Sequence, residues 1–249
     1  MSQPSISAKK LFFRKIKYLI RRPKPPTTSV RFDGPVLIVG SAPVSHMPTD
    51  FDETFRVITI NGSQAVTKKW GIACPDITLM QQNQIEGTTT NAVYVRRMLD
   101  CQRTGALYVL LWHKGRRSLE RKIKAFNYKY ESLQIVNRYQ RIALIEKVSG
   151  CKLFEQDKNY KCSNGVIAIL FALYNGATAV VITGINPNSS GHIYNDVNLS
   201  RFHVQTDKEV LITLLERGFP LYTTDPEVSE SLGMPLWNGK EAAKKRLGM

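Results

Sequence analysis

Residues 162–184 read CSNGVIAILFALYNGATAVVITG, and this stretch decides the fold. It begins with the small polar triplet Ser163-Asn164-Gly165, continues as an apolar run, and ends in a β-type run that stops at Gly184. The apolar run predicts a helix with a small polar start, and the β-branched run after it predicts a buried strand. The stretch therefore predicts a helix and a strand that pack together in an α/β protein.

The same alternation of short apolar strands and helical patterns extends through the rest of the chain. Strands are predicted at residues 35–39, 56–60, 77–80, 107–111, 179–183 and 220–222. Helices are predicted at residues 90–103, 116–127, 138–149, 164–175 and 204–217. This order indicates a largely parallel sheet with helices on both faces. We predict one doubly wound, Rossmann-like α/β domain over residues 31–249.

Polar residues follow several of these strands, where parallel sheets place their ligands. Gly40-Ser41 follows the first strand, but the further glycines of a dinucleotide fingerprint and the lysine of a P-loop are missing. The loop is either a tight approach to another nucleotide or a plain turn. Asn61, after the second strand, suits a base, a ribose or a sugar hydroxyl, and equally suits a turn.

Two further positions suggest chemistry at this edge. The helix that starts at Ser163 offers free backbone N–H groups to a phosphate, or is simply capped by that serine. His203 precedes Asp207 by one helical turn, so an Asp–His hydrogen bond would raise the basicity of the imidazole. Alternatively, His203 is a surface histidine beside an acid at a helix start.

The sequence gives little support for a metal site. Asp50-Phe51-Asp52 has the spacing of a metal-binding DxD pair but lies before the second strand, so we favour a solvated loop. The four cysteines are scattered, which indicates reduced thiols and no zinc site. We therefore predict no metal and no cofactor.

The net charge of +15 is concentrated at the N-terminus, where residues 1–32 hold nine cations and no acid. Residues 8–22 form a basic, aromatic, amphipathic helical pattern, and a proline-rich linker follows it. We predict a separate arm over residues 1–30 that lies on an anionic membrane surface. The alternatives are a disordered basic arm and a helix docked on a partner.

Taken together, these motifs resemble the sialyltransferases, most closely the bacterial family 42 type, with some similarity to family 29. The resemblance covers roughly residues 35–225 and implies that the sheet is of the GT-A-like kind. It is carried by the strand and loop through Gly40-Ser41, by Asn61 after the Asp pair, by Ser163-Asn164-Gly165 at a helix start, and by Gly184, Tyr194 and His203.

The resemblance implies a metal-independent, inverting transfer of a sugar from a CMP-activated donor to a glycan or glycolipid hydroxyl. It implies that His203, supported by Asp207, is the general base and that Gly40, Ser41, Asn61, Ser163, Asn164, Gly165, Gly184 and Tyr194 surround the donor. Because Ser41, Asn164 and Asn188 depart from the family pattern, the donor is a sialic acid or a related 2-keto acid sugar such as Kdo.

The expected location is the cytoplasmic side of the cell membrane, as a peripheral protein. The alternatives are an inactive CMP- or carbohydrate-binding relative, a methyltransferase and a basic nucleic-acid-binding protein. The chain contains no RNA-recognition aromatic motif and no helix-turn-helix signature, so we predict no nucleic-acid partner.

Overall fold

A seven-stranded sheet, parallel at every pairing, forms the centre of the protein. The computed structural model describes residues 7–28, 32–155, 160–188, 191 and 203–240. The strands are β1 Pro35–Val39, β2 Arg56–Ile60, β3 Ile77–Gln81, β4 Arg103–Leu110, β5 Lys129–Val136, β6 Ala179–Thr183 and β7 Leu221–Thr223. The helices are α1 Ala8–Arg21, α2 Gln64–Lys69, α3 Gln82–Glu86, α4 Thr90–Leu99, α5 Arg116–Lys124, α6 Arg138–Ser149, α7 Asn164–Tyr174, α8 Val204–Glu216 and α9 Pro226–Leu232.

The order of the strands reverses beside β1. Across the sheet the order is β5-β4-β3-β2-β1-β6-β7, so the chain moves outward from β1 to β5 and then returns to place β6 on the other side of β1. A parallel sheet opens a ligand crevice at such a reversal, outside the carboxyl ends of the two strands. The predicted doubly wound α/β fold is confirmed, and the crevice lies between β1 and β6.

Most elements match the prediction, and the clearest omission is β5. β1, β2, β6 and α6 have the predicted bounds, whereas β5 and the short helices α2, α3 and α9 were not predicted. β5 is an edge strand in which only Leu133 and Val136 are buried. Its exposed charged residues interrupt the apolar pattern, because an edge strand is less covered by the rest of the protein than a central strand is.

Burial on both faces of the sheet explains why the central strands are continuous apolar runs in the sequence. All five residues of β1 are buried, and alternate side chains enter different clusters on the two faces of the sheet. Val36 and Ile38 pack on one side, and Leu37 and Val39 pack on the other. α7 is buried from Asn164 to Ala172, which explains an apolar run with little amphipathic character.

The loops after β1 and β6 touch one another. The Gly40 N–H donates to the Thr183 carbonyl at 2.8 Å, and the Ala42 N–H donates to the Gly184 carbonyl at 2.9 Å. A Cβ atom on Gly40 would lie 2.1 Å from the Gly184 oxygen. Gly184 has φ +61°, which favours glycine. These two glycines therefore permit a backbone contact that larger residues would prevent.

The N-terminal helix α1 lies against the rest of the chain. An Arg14 guanidinium nitrogen donates to the Phe154 carbonyl at 2.7 Å, and the Tyr18 hydroxyl donates to the Glu146 carboxylate at 2.7 Å. The proline-rich connection is also held, since Pro26 is buried. No helix in the described ranges is long and apolar enough to cross a membrane.

The contact between the two loops can be tested with Gly40→Ala. The added methyl group must displace backbone, so we expect the free energy of unfolding to fall by about 1–3 kcal/mol in urea denaturation. Ser41→Ala, one residue away, is the control because it adds no atom. Equal stability of the two variants would show that the loops separate without cost.

Candidate functional site

A cavity of about 460 Å³ lies at the carboxyl edge of the sheet, where β1, β2, β3 and β6 end. Nine residues predicted for the site line it, namely Gly40, Ser41, Asn61, Ser163, Asn164, Gly165, Gly184, His203 and Asp207. The tenth, Tyr194, lies outside the described residues. Residues from well-separated parts of the sequence therefore meet in one place.

The start of α7 supplies hydrogen-bond donors to this cavity. Ser163 caps the helix, since its hydroxyl accepts from the Val166 N–H at 3.2 Å. Within the described ranges, the N–H groups of Asn164 and Gly165 have no acceptor. A Cβ atom on Gly165 would lie 3.2 Å from the Ile185 side chain, so glycine keeps the helix start close to the loop after β6. Two free donors at a helix start suit an anion.

Asp207 contacts the start of α7. Its Oδ1 accepts a hydrogen bond from the Ser163 N–H at 2.8 Å, and the residue is 8% exposed. The Asp207 N–H donates to the His203 carbonyl at 2.8 Å within the first turn of α8. Asp207 thus joins α8 to α7, a role that its spacing from His203 did not predict.

A buried arginine that sequence reasoning missed contacts the same helix start. Arg141 is 2% exposed, and its guanidinium donates to the Cys162 carbonyl at 3.2 Å and to Asn164 Oδ1 at 3.5 Å. Asn164 Nδ2 in turn donates to Gln81 Oε1 at 3.2 Å. The only sequence signal for Arg141 is its position inside the buried pattern of α6.

Amide side chains form the wall beyond β3. Gln81, Asn83, Gln84 and Asn91 all line the cavity. Asn61 has φ +53°, and its Oδ1 accepts from the Gln81 N–H at 3.0 Å. Amides both donate and accept hydrogen bonds, so this wall suits a base or a sugar. The run of amides directly after a buried strand is a signal that could have identified it.

Two cations, Arg141 and Lys161, line the cavity together with the carboxylate of Asp207. Burial lowers the pKa of Lys161, and the nearby Arg138 and Arg141 lower it further, whereas Glu155 raises it. Burial, with the Asp207 charge, raises the pKa of the Cys162 thiol. Cys162 therefore stays protonated and is unsuited to be a nucleophile. Lys161 and Arg141 instead favour an anionic ligand.

The early Asp pair holds the C-terminal part of the described chain. Asp50 accepts from Trp237 Nε1 at 2.7 Å and from the Lys240 N–H at 2.8 Å. Asp52 pairs with the Lys240 ammonium and accepts from Thr54, which together lower its pKa to about 2. The described residues contain no group of three potential metal ligands. The pair lies in a loop with Asp52 exposed, as predicted, and in addition it holds the segment around Trp237 and Lys240.

The contact between Asp207 and Ser163 yields a stability test. Asp207→Ala leaves the Ser163 N–H without this acceptor, so we expect a loss of about 1–3 kcal/mol in the free energy of unfolding. Asp207→Asn keeps an oxygen acceptor and should lose less. Urea denaturation of both variants at neutral pH measures the difference. Equal losses would show that the hydrogen bond contributes nothing.

Comparison with known proteins relates this arrangement to one group of enzymes. No family model and no curated protein sequence matches the chain. The α-2,3-sialyltransferase Cst-I from Campylobacter jejuni matches with a TM-score of 0.53 and 15% identity over 81% of this chain and 79% of that one. The sialyltransferase CstII from the same organism, with cytidine-5'-monophosphate, gives 0.50 and 16% over 86% and 97%.

A variant of Cst-II in complex with CMP gives similar values, a TM-score of 0.51 and 14% identity over 86% of this chain and 97% of that chain. At this identity the likeness concerns the arrangement of helices and strands. The predicted resemblance is confirmed at that level, because the chain has the fold of these sialyltransferases.

Proposed function

We propose that the protein is a metal-independent, inverting glycosyltransferase that uses a CMP-activated sialic acid or a related 2-keto acid sugar. One observation carries the proposal. Nine residues chosen from sequence motifs line a single cavity at the strand reversal of a fold shared with sialyltransferases solved with CMP. The acceptor is a glycan or glycolipid hydroxyl.

The start of α7 is the proposed phosphate seat, the position where the phosphate of CMP would bind. The free N–H groups of Asn164 and Gly165 would donate to its oxygens, and the positive end of the helix favours the charge. Lys161 and Arg141 add positive charge at the same place. A single phosphate needs less neutralisation than a diphosphate, which agrees with a mechanism that uses no metal.

Asn164 departs from the family pattern, and its contacts suggest why this is tolerated. Its side-chain oxygen accepts from Arg141, and its side-chain nitrogen donates to Gln81. Both polar atoms of the side chain thus have partners within the protein, so Asn164 would bind the sugar donor through its backbone N–H. The identity of the donor sugar then depends on other residues, and both sialic acid and Kdo fit the proposal.

His203 is the proposed general base. It lies at the start of α8 on the cavity wall. Its imidazole would take the proton of the acceptor hydroxyl while that oxygen attacks the anomeric carbon. The bond from this carbon to the phosphate oxygen breaks, and CMP leaves with the electron pair. Attack from the face opposite CMP inverts the anomeric centre, and the N–H groups of α7 stabilise the departing phosphate.

Membrane-surface binding by α1 is the second part of the proposal. Phe12, Phe13, Leu19 and Ile20 are between 56% and 76% exposed, whereas Arg14 and Tyr18 contact the body. Exposed Lys9, Lys10 and Lys17 lie on the same helix. Each cation near an anionic leaflet adds about 1 kcal/mol. The helix would place the protein on the cytoplasmic face of the membrane, near a glycolipid acceptor.

The proposed base is tested with His203→Ala. We expect CMP release from CMP-sialic acid or CMP-Kdo, with an acceptor mixture and EDTA present, to fall about 100-fold or more. Affinity for CMP should change little because the phosphate seat is intact. His113→Ala is the matched control, since His113 is exposed and neither it nor its partner Gln82 lines the cavity.

The other outcomes separate the alternatives. Unchanged release by His203→Ala would reject this residue as the base, and activity abolished by EDTA would reject a metal-free mechanism. Binding of CMP with no release from either donor would indicate the inactive relative. Salt-sensitive RNA binding together with no CMP binding would favour the nucleic-acid protein.

Membrane binding is tested with the double variant Phe12→Ser/Ile20→Ser. Loss of two exposed apolar side chains should lower sedimentation with phosphatidylglycerol vesicles about tenfold or more. Tyr94→Ser, which removes an exposed ring from α4, is the control. Equal sedimentation of the double variant and the wild type would contradict this role of α1.

A further inference from the structure

We propose that α1 also supports the nucleotide cavity from within the protein, and that Arg14 and Glu155 are positioning residues for it. This inference rests on the proposed function, because it concerns the seat assigned to CMP. It differs from membrane binding, since it uses the opposite face of α1 and needs no lipid. Three sets of contacts lead from α1 to the start of α7.

The first contacts hold the backbone at Glu155. The Arg14 guanidinium donates to the carbonyls of Phe154 and Glu155, which lie far from it in the sequence. Glu155 has φ +52°, a left-handed conformation that surrounding contacts must maintain in a residue other than glycine. Arg14 therefore secures the strained backbone conformation that places the Glu155 side chain.

The second contacts place Glu155 between two arginines. Glu155 is 1% exposed, and its carboxylate lies 2.9 Å from Arg141 and 3.2 Å from Arg138. A buried carboxylate fixes the direction of a buried guanidinium because neither charge has water as an alternative partner. The orientation of Arg141 thus depends on where the backbone places the Glu155 carboxylate.

The third set of contacts links Arg141 to the proposed phosphate seat at the start of α7. Arg141 donates to the Cys162 carbonyl and to the Asn164 side chain, directly beside the free N–H groups at the start of α7. Arg141 also lines the cavity. A shift of this guanidinium would move both the helix start and a positive charge in the lining of the cavity.

A parallel route passes through α6, the helix that carries both arginines. The Tyr18 hydroxyl donates to Glu146, and the Arg21 guanidinium lies 5.5 Å from the centre of the Tyr139 ring. Burial and the bond to Glu146 raise the pKa of Tyr18, so the hydroxyl stays protonated and remains a donor. α1 therefore contacts α6, the helix that carries the cavity-lining Arg141, at two places and contacts the backbone at Glu155.

The test measures CMP affinity in solution, without lipid, for the full chain. We expect Arg14→Ala to weaken CMP binding roughly three- to thirtyfold by titration calorimetry. Lys17→Ala is the matched control, because it removes one cation from an exposed position of the same helix. Tyr18→Phe, which removes only a hydroxyl group, should weaken binding in the same direction by less.

Hydrogen exchange provides a readout that does not need CMP. In Arg14→Ala the amides of Ser163, Val166 and Ile167, which are hydrogen-bonded at the start of α7, should exchange faster, and in Lys17→Ala they should not. Equal CMP affinity and equal exchange in these two variants would overturn the coupling. Faster exchange in Arg14→Ala, in a protein whose wild type does not bind CMP, would support the coupling and reject the proposed function.

Discussion

The close approach of the loops after β1 and β6 is the constraint on which the rest of the structure depends. These strands are far apart in the sequence, yet they pair directly, and Gly40 and Gly184 bring their ends into backbone contact. The strand order reverses at this pair, which opens the crevice. Helix α7 precedes β6 in the chain and α8 follows it, and the starts of both helices line the cavity.

Buried polar contacts then give the crevice its shape. Arg141 and Glu155 are almost fully buried, and removal of one partner from such a pair costs about 3–5 kcal/mol. Arg141 ties α6 to the start of α7, and Asp207 ties α8 to the same turn. The helix start is thus fixed from two sides while its first N–H groups stay available. Preorganised donors of this kind favour a charge that develops as a leaving group departs.

Much of the fold and part of the site were readable from local patterns. β1, β2 and β6 are buried on both faces, so their apolar runs are unambiguous, whereas the charged edge strand β5 gave no such signal. Gly40, Asn61 and Ser163 were identified because each follows or opens an element at the edge where ligands bind. Arg141 was missed because one arginine within a helix resembles any solvated cation until its burial is known. Asp207 was identified for its spacing from His203, but its carboxylate bonds Ser163.

The sequence by itself determined the class of fold, the edge of the sheet where the cavity lies and the amphipathic character of α1. These properties depend on residues a few positions apart, and periodicity and glycine placement record them directly. Only the tertiary structure decided which motifs meet, that the Asp pair holds the segment around Trp237, and that α1 lies on α6 with four of its apolar side chains exposed. Such contacts join residues that are distant in the sequence, such as Arg14 and Phe154, and they exist only once packing has brought the two groups together.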